Sequence, residues 1–290
     1  MKLARIRQGG KWVPALWLSG GTFANVATVL PDIDPINIQP FAMRKLVEKR
    51  DDILGDGDSF PRIVDPTPNM FGPIIHRPPN VIGIGLNYAD HCRECNYPVP
   101  GGIEVFMKHT GSVCGASDPL PKCPIMAELD YEVELALVIG KANVGRVAPE
   151  NALDLLAGYT MANDVSERKF QMSGKNWTRG KSFGSFSPIG PLLVTPDEIP
   201  DPQNLNLTLS VNGEVRQNSS TSQMVFGVRQ IVSQLTETFR LLPGDVIVTG
   251  TPPGVCFRPT NPRPYLQVGD KVAWSITGLG EASHTVVASN

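Results

Sequence analysis

Asp130-Tyr131-Glu132-Val133-Glu134-Leu135-Ala136-Leu137-Val138-Ile139 joins a cluster of carboxylates to an apolar run. Leu135 to Ile139 is apolar throughout, which predicts a strand that enters a core. Side chains alternate along a strand, so Asp130, Glu132 and Glu134 share one face and Tyr131, Val133 and Leu135 the other. Like charges at neighbouring same-face positions repel, and burial sharpens the repulsion. A hard divalent cation relieves it, because such ions take oxygen ligands from a few carboxylates and leave other positions to water or substrate. An acidic strand edge in water fits the same letters, and Glu-X-Glu alone favours that plainer reading. Asp164 adds weight to the metal. Gly158-Tyr159-Thr160 reads as a strand ending in the polar turn Asn163-Asp164-Val165-Ser166, where a carboxylate would complete an open three-carboxylate site. Alone, Asp164 reads as an N-cap or Asx turn before Glu167-Arg168.

Outward from this segment, strands dominate. Val81–Gly85, Val105–Lys108, Val246–Thr249 and Val272–Ile276 read as strands, the last two each entered by a Gly-Asp turn, which suggests neighbouring hairpins. Leu205, Leu207, Leu209 and Val211 alternate with polar residues and run into Asn212-Gly213, a strong hairpin signal. Helices are expected at Pro40–Ile53, with Phe41, Met43, Leu46 and Val47 on one side, at Asn87–Cys95, at Asn151–Leu156 and at Gln223–Phe239. Pro61, Pro66, Pro68, Pro73, Pro78 and Pro79 form a stiff, extended connector. It divides the chain into a small N-terminal domain, 1–76, and a larger domain, 77–290. The 28 glycines and 27 prolines among 290 residues exceed the roughly 12% of average usage and exclude a helical bundle. The fold class expected is α+β, β-rich.

Charge and composition exclude several functions. With 26 basic against 28 acidic residues and no long basic run, nucleic acid is not the expected partner. No stretch is apolar for long enough to span a membrane, and charge interrupts the N-terminus where a signal peptide needs its apolar run. Five scattered cysteines suit a reducing cytosol, so a cytoplasmic protein is expected. Gly83-Ile84-Gly85 lacks the third glycine of a dinucleotide fingerprint. Cys92 and Cys95 have no second pair at zinc spacing. His76, His109 and His284 read as structural.

Five segments in order resemble the fumarylacetoacetate hydrolase family. They are Gly85-Leu86-Asn87-Tyr88-Ala89-Asp90-His91, Asp130 to Leu135, Asn163 to Ser166, Arg179-Gly180-Lys181-Ser182-Phe183 and Thr249-Gly250-Thr251-Pro252-Pro253-Gly254-Val255. The likeness runs from Val81 to His284. It implies a mixed, highly twisted β-roll with flanking helices, a homodimer, and one Mg²⁺ or Mn²⁺ held by Glu132, Glu134 and Asp164. Asp130 then becomes a supporting carboxylate that orients a ligand or a lysine.

The same resemblance gives roles to other residues. His91 and Glu94 lie at i, i+3 on one helix face, where a carboxylate orients an imidazole and raises its basicity. Some relatives use such a pair, on a mobile segment, to activate water. Pro98, Pro100, Gly101 and Gly102 follow and suit a hinged loop. Lys181 would hold a substrate carboxylate or stabilise an enolate oxygen, with Lys108 a similar candidate. Thr251 would bind the carboxylate through its hydroxyl and backbone N–H, and Arg168 and Gln171 either line the pocket or support it. The implied activity is hydrolysis of a C–C bond in a small β-diketone or 2-oxo acid, of acylpyruvate or fumarylpyruvate type. Oxaloacetate-type decarboxylation and isomerisation of a 2-hydroxy-dienedioate share the metal ligands, and a biosynthetic role or a non-catalytic binder is a further alternative. The chain departs from the family at Glu167, Lys169 and Gly184, and in the Gly254–Pro264 loop with Arg258, Pro259, Pro262, Arg263 and Pro264. These departures leave the metal set intact and bear on the substrate.

Overall fold

The computed structural model describes residues 1–55, 57–258 and 263–289; Pro259 and Pro262 lie outside the described residues. The fold is α+β and strand-rich. The main sheet runs Arg62–Val64, Thr22–Asn25, Lys11–Ser19, Lys2–Gln8, Leu193–Val194, Leu156–Asn163, Val133–Ile139, Val246–Val248, Val81–Gly85 and Glu104–Lys108. Strands of residues 1–76 thus continue this sheet, joined to the rest where Leu3 pairs with Leu193. A second sheet orders Glu214–Ser220, Asn206–Val211, Lys271–Ile276, Gly280–Ala288 and Leu120–Lys122.

Val133–Ile139 lies inside the main sheet and is buried along its whole length. Leu135, Leu137 and Ile139 pack into the core shared with the second sheet, and Ala136 and Val138 face the core under the N-terminal strands. That double burial explains why the run shows no polar alternation. The antiparallel register pairs Val133 with Asn163, so Glu132 and Asp164 are the next residues beyond the ladder. Asp164 N–H closes that end on Glu132 O at 2.8 Å. The carboxylates therefore meet where two core strands stop, a position fixed by the register.

Several expectations need correction. The predicted strand breaks at Tyr131-Glu132, leaving Leu129–Asp130 and Val133–Ile139 as separate strands. The break lets Glu132 N–H bond Asn163 Oδ1 at 2.9 Å in place of a ladder partner. The Pro40–Ile53 helix is two helices, Pro40–Glu48 and Arg50–Gly55. Phe41 and Val47 stand exposed, and only Met43 and Leu46 of the proposed apolar side are buried. The Gln223–Phe239 helix shrinks to Val228–Leu235. Upstream, Val225 and Phe226 donate their N–H groups to Asn87 O and Oδ1, both at 2.8 Å, which holds that stretch out of the helix. The expected Asn151–Leu156 helix is part of a 3-10 helix, Pro149–Leu155, and Leu156 begins the strand Leu156–Asn163. The strands after the two Gly-Asp turns fall in different sheets and are not neighbouring hairpins. The Asn212-Gly213 hairpin holds, with both residues at positive φ (52° and 85°), as a type I′ turn requires.

Candidate metal centre and catalytic pocket

Glu132, Glu134 and Asp164 are buried, with ligand oxygens within 4.8 Å of one another. They differ in how their charge is met. Glu132 accepts from Arg168 at 2.6 Å and from Lys181 Nζ at 2.6 Å. Burial alone would raise its pKa, but these two cations hold it well below the usual carboxylate range. Asp164 accepts from Lys181 Nζ at 2.6 Å and from Lys108 Nζ. Glu134 has no cation in contact among the described residues; Gly250 N–H reaches its Oε2 at 2.7 Å. Burial, reinforced by the charges of Asp164 and Glu132, pushes its pKa well up. Gly250 makes its contact at φ 99°, and a Cβ there would lie 2.8 Å from the Asn87 Cβ. Only glycine points that N–H inward without strain.

This donor set fits a hard divalent cation. Its ligands are all oxygen, three charges converge, and the one carboxylate without a counter-charge is driven towards protonation. Lys181 bridges two of the three, marking the spot where positive charge is held. The expectation that Asp130 orients a ligand or a lysine is corrected: it accepts from Arg168 at 2.8 Å, and Cys256 and Phe257 N–H add 2.9 and 3.0 Å bonds. Arg168 also donates to Gln171 Oε1 at 2.9 Å, so a single guanidinium ties Asp130, Glu132 and Gln171 together.

His91 lines the same cavity, of about 160 Å³, as the three carboxylates, Lys181, Arg168, Gln171 and Thr251. A larger cavity of about 880 Å³ lies between the N-terminal strands and the outer face of the second sheet, away from both ligating clusters among the described residues. Glu94 Oε2 lies 3.4 Å from His91 Nδ1, and Gly254 N–H at 2.9 Å fixes the same oxygen. Cys95 Sγ sits 3.8 Å from Nδ1. Burial lowers the His91 pKa, but Cys95, Glu94 and the field of Glu132 outweigh it and raise it to about 9. Glu94 is held below its ordinary value: burial opposes this, but His91 and Gly254 prevail.

Two expected substrate contacts already have partners within the protein, one of them, Thr251, while lining the cavity. Lys108 supports Asp164 from behind, donates also to Val165 O at 3.3 Å, and is absent from the cavity wall. The Thr251 hydroxyl donates to Val133 O at 3.0 Å, so its proton is engaged within the protein. Gln217, which no sequence signal singles out, organises that loop. It accepts from Val133 N–H at 3.0 Å and donates to Thr251 Oγ1 and Pro252 O, both at 2.8 Å. Gln217→Leu removes all three bonds from a buried position. It is expected to cost about 3 kcal/mol, since stranded buried groups cost about 1–3 kcal/mol each. Urea unfolding checks this, and a loss under about 1 kcal/mol would contradict the clamp. His284 is fully buried against Trp274 at 4.9 Å, its pKa pushed down to about 3 by burial, and neither ring nitrogen has a hydrogen-bond partner among the described residues.

Residues 80–287 match the family described as fumarylacetoacetate (FAA) hydrolase, C-terminal. The chain belongs to the fumarylacetoacetate hydrolase family. A Burkholderia multivorans chain, whose name gives the broad class hydrolase and no substrate, is 42% identical over 97% of each chain. The fumarylacetoacetate hydrolase of Exiguobacterium antarcticum is 34% identical with TM-score 0.84, both chains fully covered. The maleylpyruvate hydrolase of Sphingobium sp. SYK-6, solved with manganese(II) and pyruvate, is 25% identical with TM-score 0.79 over the whole of both. A 2-hydroxyhepta-2,4-diene-1,7-dioate isomerase from Mycobacterium marinum is 28% identical with TM-score 0.75, covering 100% of this chain and 99% of its own. Among the described residues no helix is long and apolar enough to cross a membrane.

Proposed function

We propose that this chain hydrolyses the C–C bond between the two carbonyls of an acylpyruvate-type 2,4-dioxo acid, giving pyruvate and a carboxylic acid. The observation that carries the reading is the shared cavity: His91, paired with Glu94, opens onto the space that holds Glu132, Glu134 and Asp164. Glu132, Glu134 and Asp164 would hold a divalent cation, Mg²⁺ or Mn²⁺, which would supply Lewis acidity towards substrate oxygens. The protein does the rest. With its Nδ1 proton directed at Glu94, His91 takes a water proton at Nε2, and the hydroxide adds to the distal carbonyl. The C3–C4 bond then breaks, its electrons pass to the pyruvate fragment, and that carbon is protonated. Arg168 holds Glu132 in place, and Lys181 supplies positive charge at the reacting end. A cytoplasmic homodimer is part of the same proposal.

The products provide the test. With Mn²⁺, the enol absorbance of an acylpyruvate should disappear, yielding one equivalent each of pyruvate and carboxylic acid, and EDTA should abolish the loss. Release of CO₂ would replace the reading with decarboxylation. A product isomeric with the substrate would replace it with isomerisation, the reaction named for the Mycobacterium marinum relative.

A further inference from the structure

We infer that the substrate's arm beyond its 2-oxo acid head is uncharged, so that dicarboxylates of the fumarylpyruvate kind are disfavoured. This rests on the hydrolase reading above and narrows it. The cavity lining falls into two unlike groups of residues. One gathers Glu132, Glu134, Asp164, Lys181, Arg168 and His91. The other is a wall of Ile84, Leu86, Tyr97, Phe106, Met172 and Trp177, which meets the first where Lys181 Nζ lies 5.1 Å over the Phe106 ring. Trp177 is built into that wall. Its ring lies 5.5 Å from the Phe106 ring and covers Gly85 so closely that a Cβ there would sit 2.2 Å from it.

A second carboxylate held against this wall would lose part of its water with no cation in return. Among the described residues, three basic side chains line the cavity, and in the metal-free protein each is engaged by protein partners. Lys181 bridges Glu132 and Asp164, Arg168 holds Asp130, Glu132 and Gln171, and His91 faces Glu94. Nearby cations do not substitute for them. Arg258 points to Glu94 at 3.4 Å and is not on the wall, and Arg179 lies over the Phe170 ring at 5.5 Å. Lys175 lines a separate cavity beside Phe106 and Trp177. An unpaired charge in apolar surroundings is strongly disfavoured, whereas an alkyl, aryl or hydroxylated arm packs against aromatic faces at no such cost.

The test compares two non-cleavable acids of equal length on the Mn²⁺-loaded protein, 2-oxohexanoate and 2-oxoadipate, by calorimetric titration. The expected result is at least about tenfold tighter binding of 2-oxohexanoate, about 1.4 kcal/mol. Equal or tighter binding of 2-oxoadipate overturns the inference, as does failure of 2-oxohexanoate to bind. Met172→Lys places a cation at the half-open edge of the wall and should narrow the gap about tenfold; an unchanged gap overturns the placement of the arm. If the preference holds but no acylpyruvate is cleaved, the hydrolase reading fails and the neutral arm stands. If acylpyruvates and dicarboxylates are cleaved alike and bound alike, the reverse is true.

Discussion

Glu132→Ala is expected to destabilise the metal-free protein by about 3–5 kcal/mol, while Glu134→Gln leaves it about 1 kcal/mol more stable. Both variants should lose divalent-cation binding. The opposite signs follow from the partners. Glu132 faces two buried cations, Arg168 and Lys181. Its removal strands both in a low-dielectric site, which costs far more than an exposed pair would. Among the described residues Glu134 has no such partner, and it meets like charges from Asp164 and Glu132. A glutamine there still accepts the Gly250 N–H and removes the repelled charge. Because the folded pKa of Glu134 is raised, its contribution is full below the unfolded carboxyl value and declines as pH rises above it. Glu134→Gln should therefore flatten the loss of metal-free stability with rising pH. Urea unfolding in EDTA decides the matter, and equal destabilisation by both variants would show that the charges are not distributed this way. Calorimetric titration with Mn²⁺ reads the other half.

What could be read from the sequence was local chemistry at fixed spacing. Glu132 and Glu134 announce themselves by alternation, His91 and Glu94 by one helical turn, and Asn212-Gly213 by its turn preference. Asp164 joins them because two neighbouring strands end together, and the motif order anticipated that. Long-range partners carry no such mark. Gln217 sits in the polar stretch Glu214–Ser220, and only the fold shows that it is wholly buried. Lys108 follows an apolar strand whichever way it points, and its place behind Asp164 is set by the sheet. The wall formed by Phe106 and Trp177 depends on two segments meeting over Gly85. The shortened helix after Gly227 has a similar cause: the periodicity of Gln223–Phe239 is real, but Asn87 captures the backbone that would begin it. In each case the deciding partner lies far away in sequence.

His91→Ala should lower hydrolysis by about 10²–10⁴-fold, the usual contribution of a positioned general base, with Mn²⁺ binding retained and, at pH values where the ring is protonated, tightened by loss of a like charge. Cation binding is carried by Glu132, Glu134 and Asp164, none of which the histidine touches. Any decarboxylation of oxaloacetate by the same site should survive, because that bond breaks without activated water. The pH profile tests the role more closely. In the metal-free protein His91 keeps its proton up to about 9. It contributes stability in full below the unfolded value near 6.5, and this is lost as pH rises through about 9. Catalysis needs the neutral ring, so kcat/KM should rise on the alkaline side; a cation in the carboxylate site, as a like charge, brings that limb lower. Glu94→Gln removes one of the acceptors that hold the proton, so the limb should move further towards neutral pH while kcat falls through lost orientation. Histidine NMR titration with and without Mn²⁺ follows the proton directly. A Glu94→Gln profile that is unshifted, or displaced to higher pH, would mean that Glu94 does not govern the ring, and the water-activating pair would have to be sought elsewhere in the cavity.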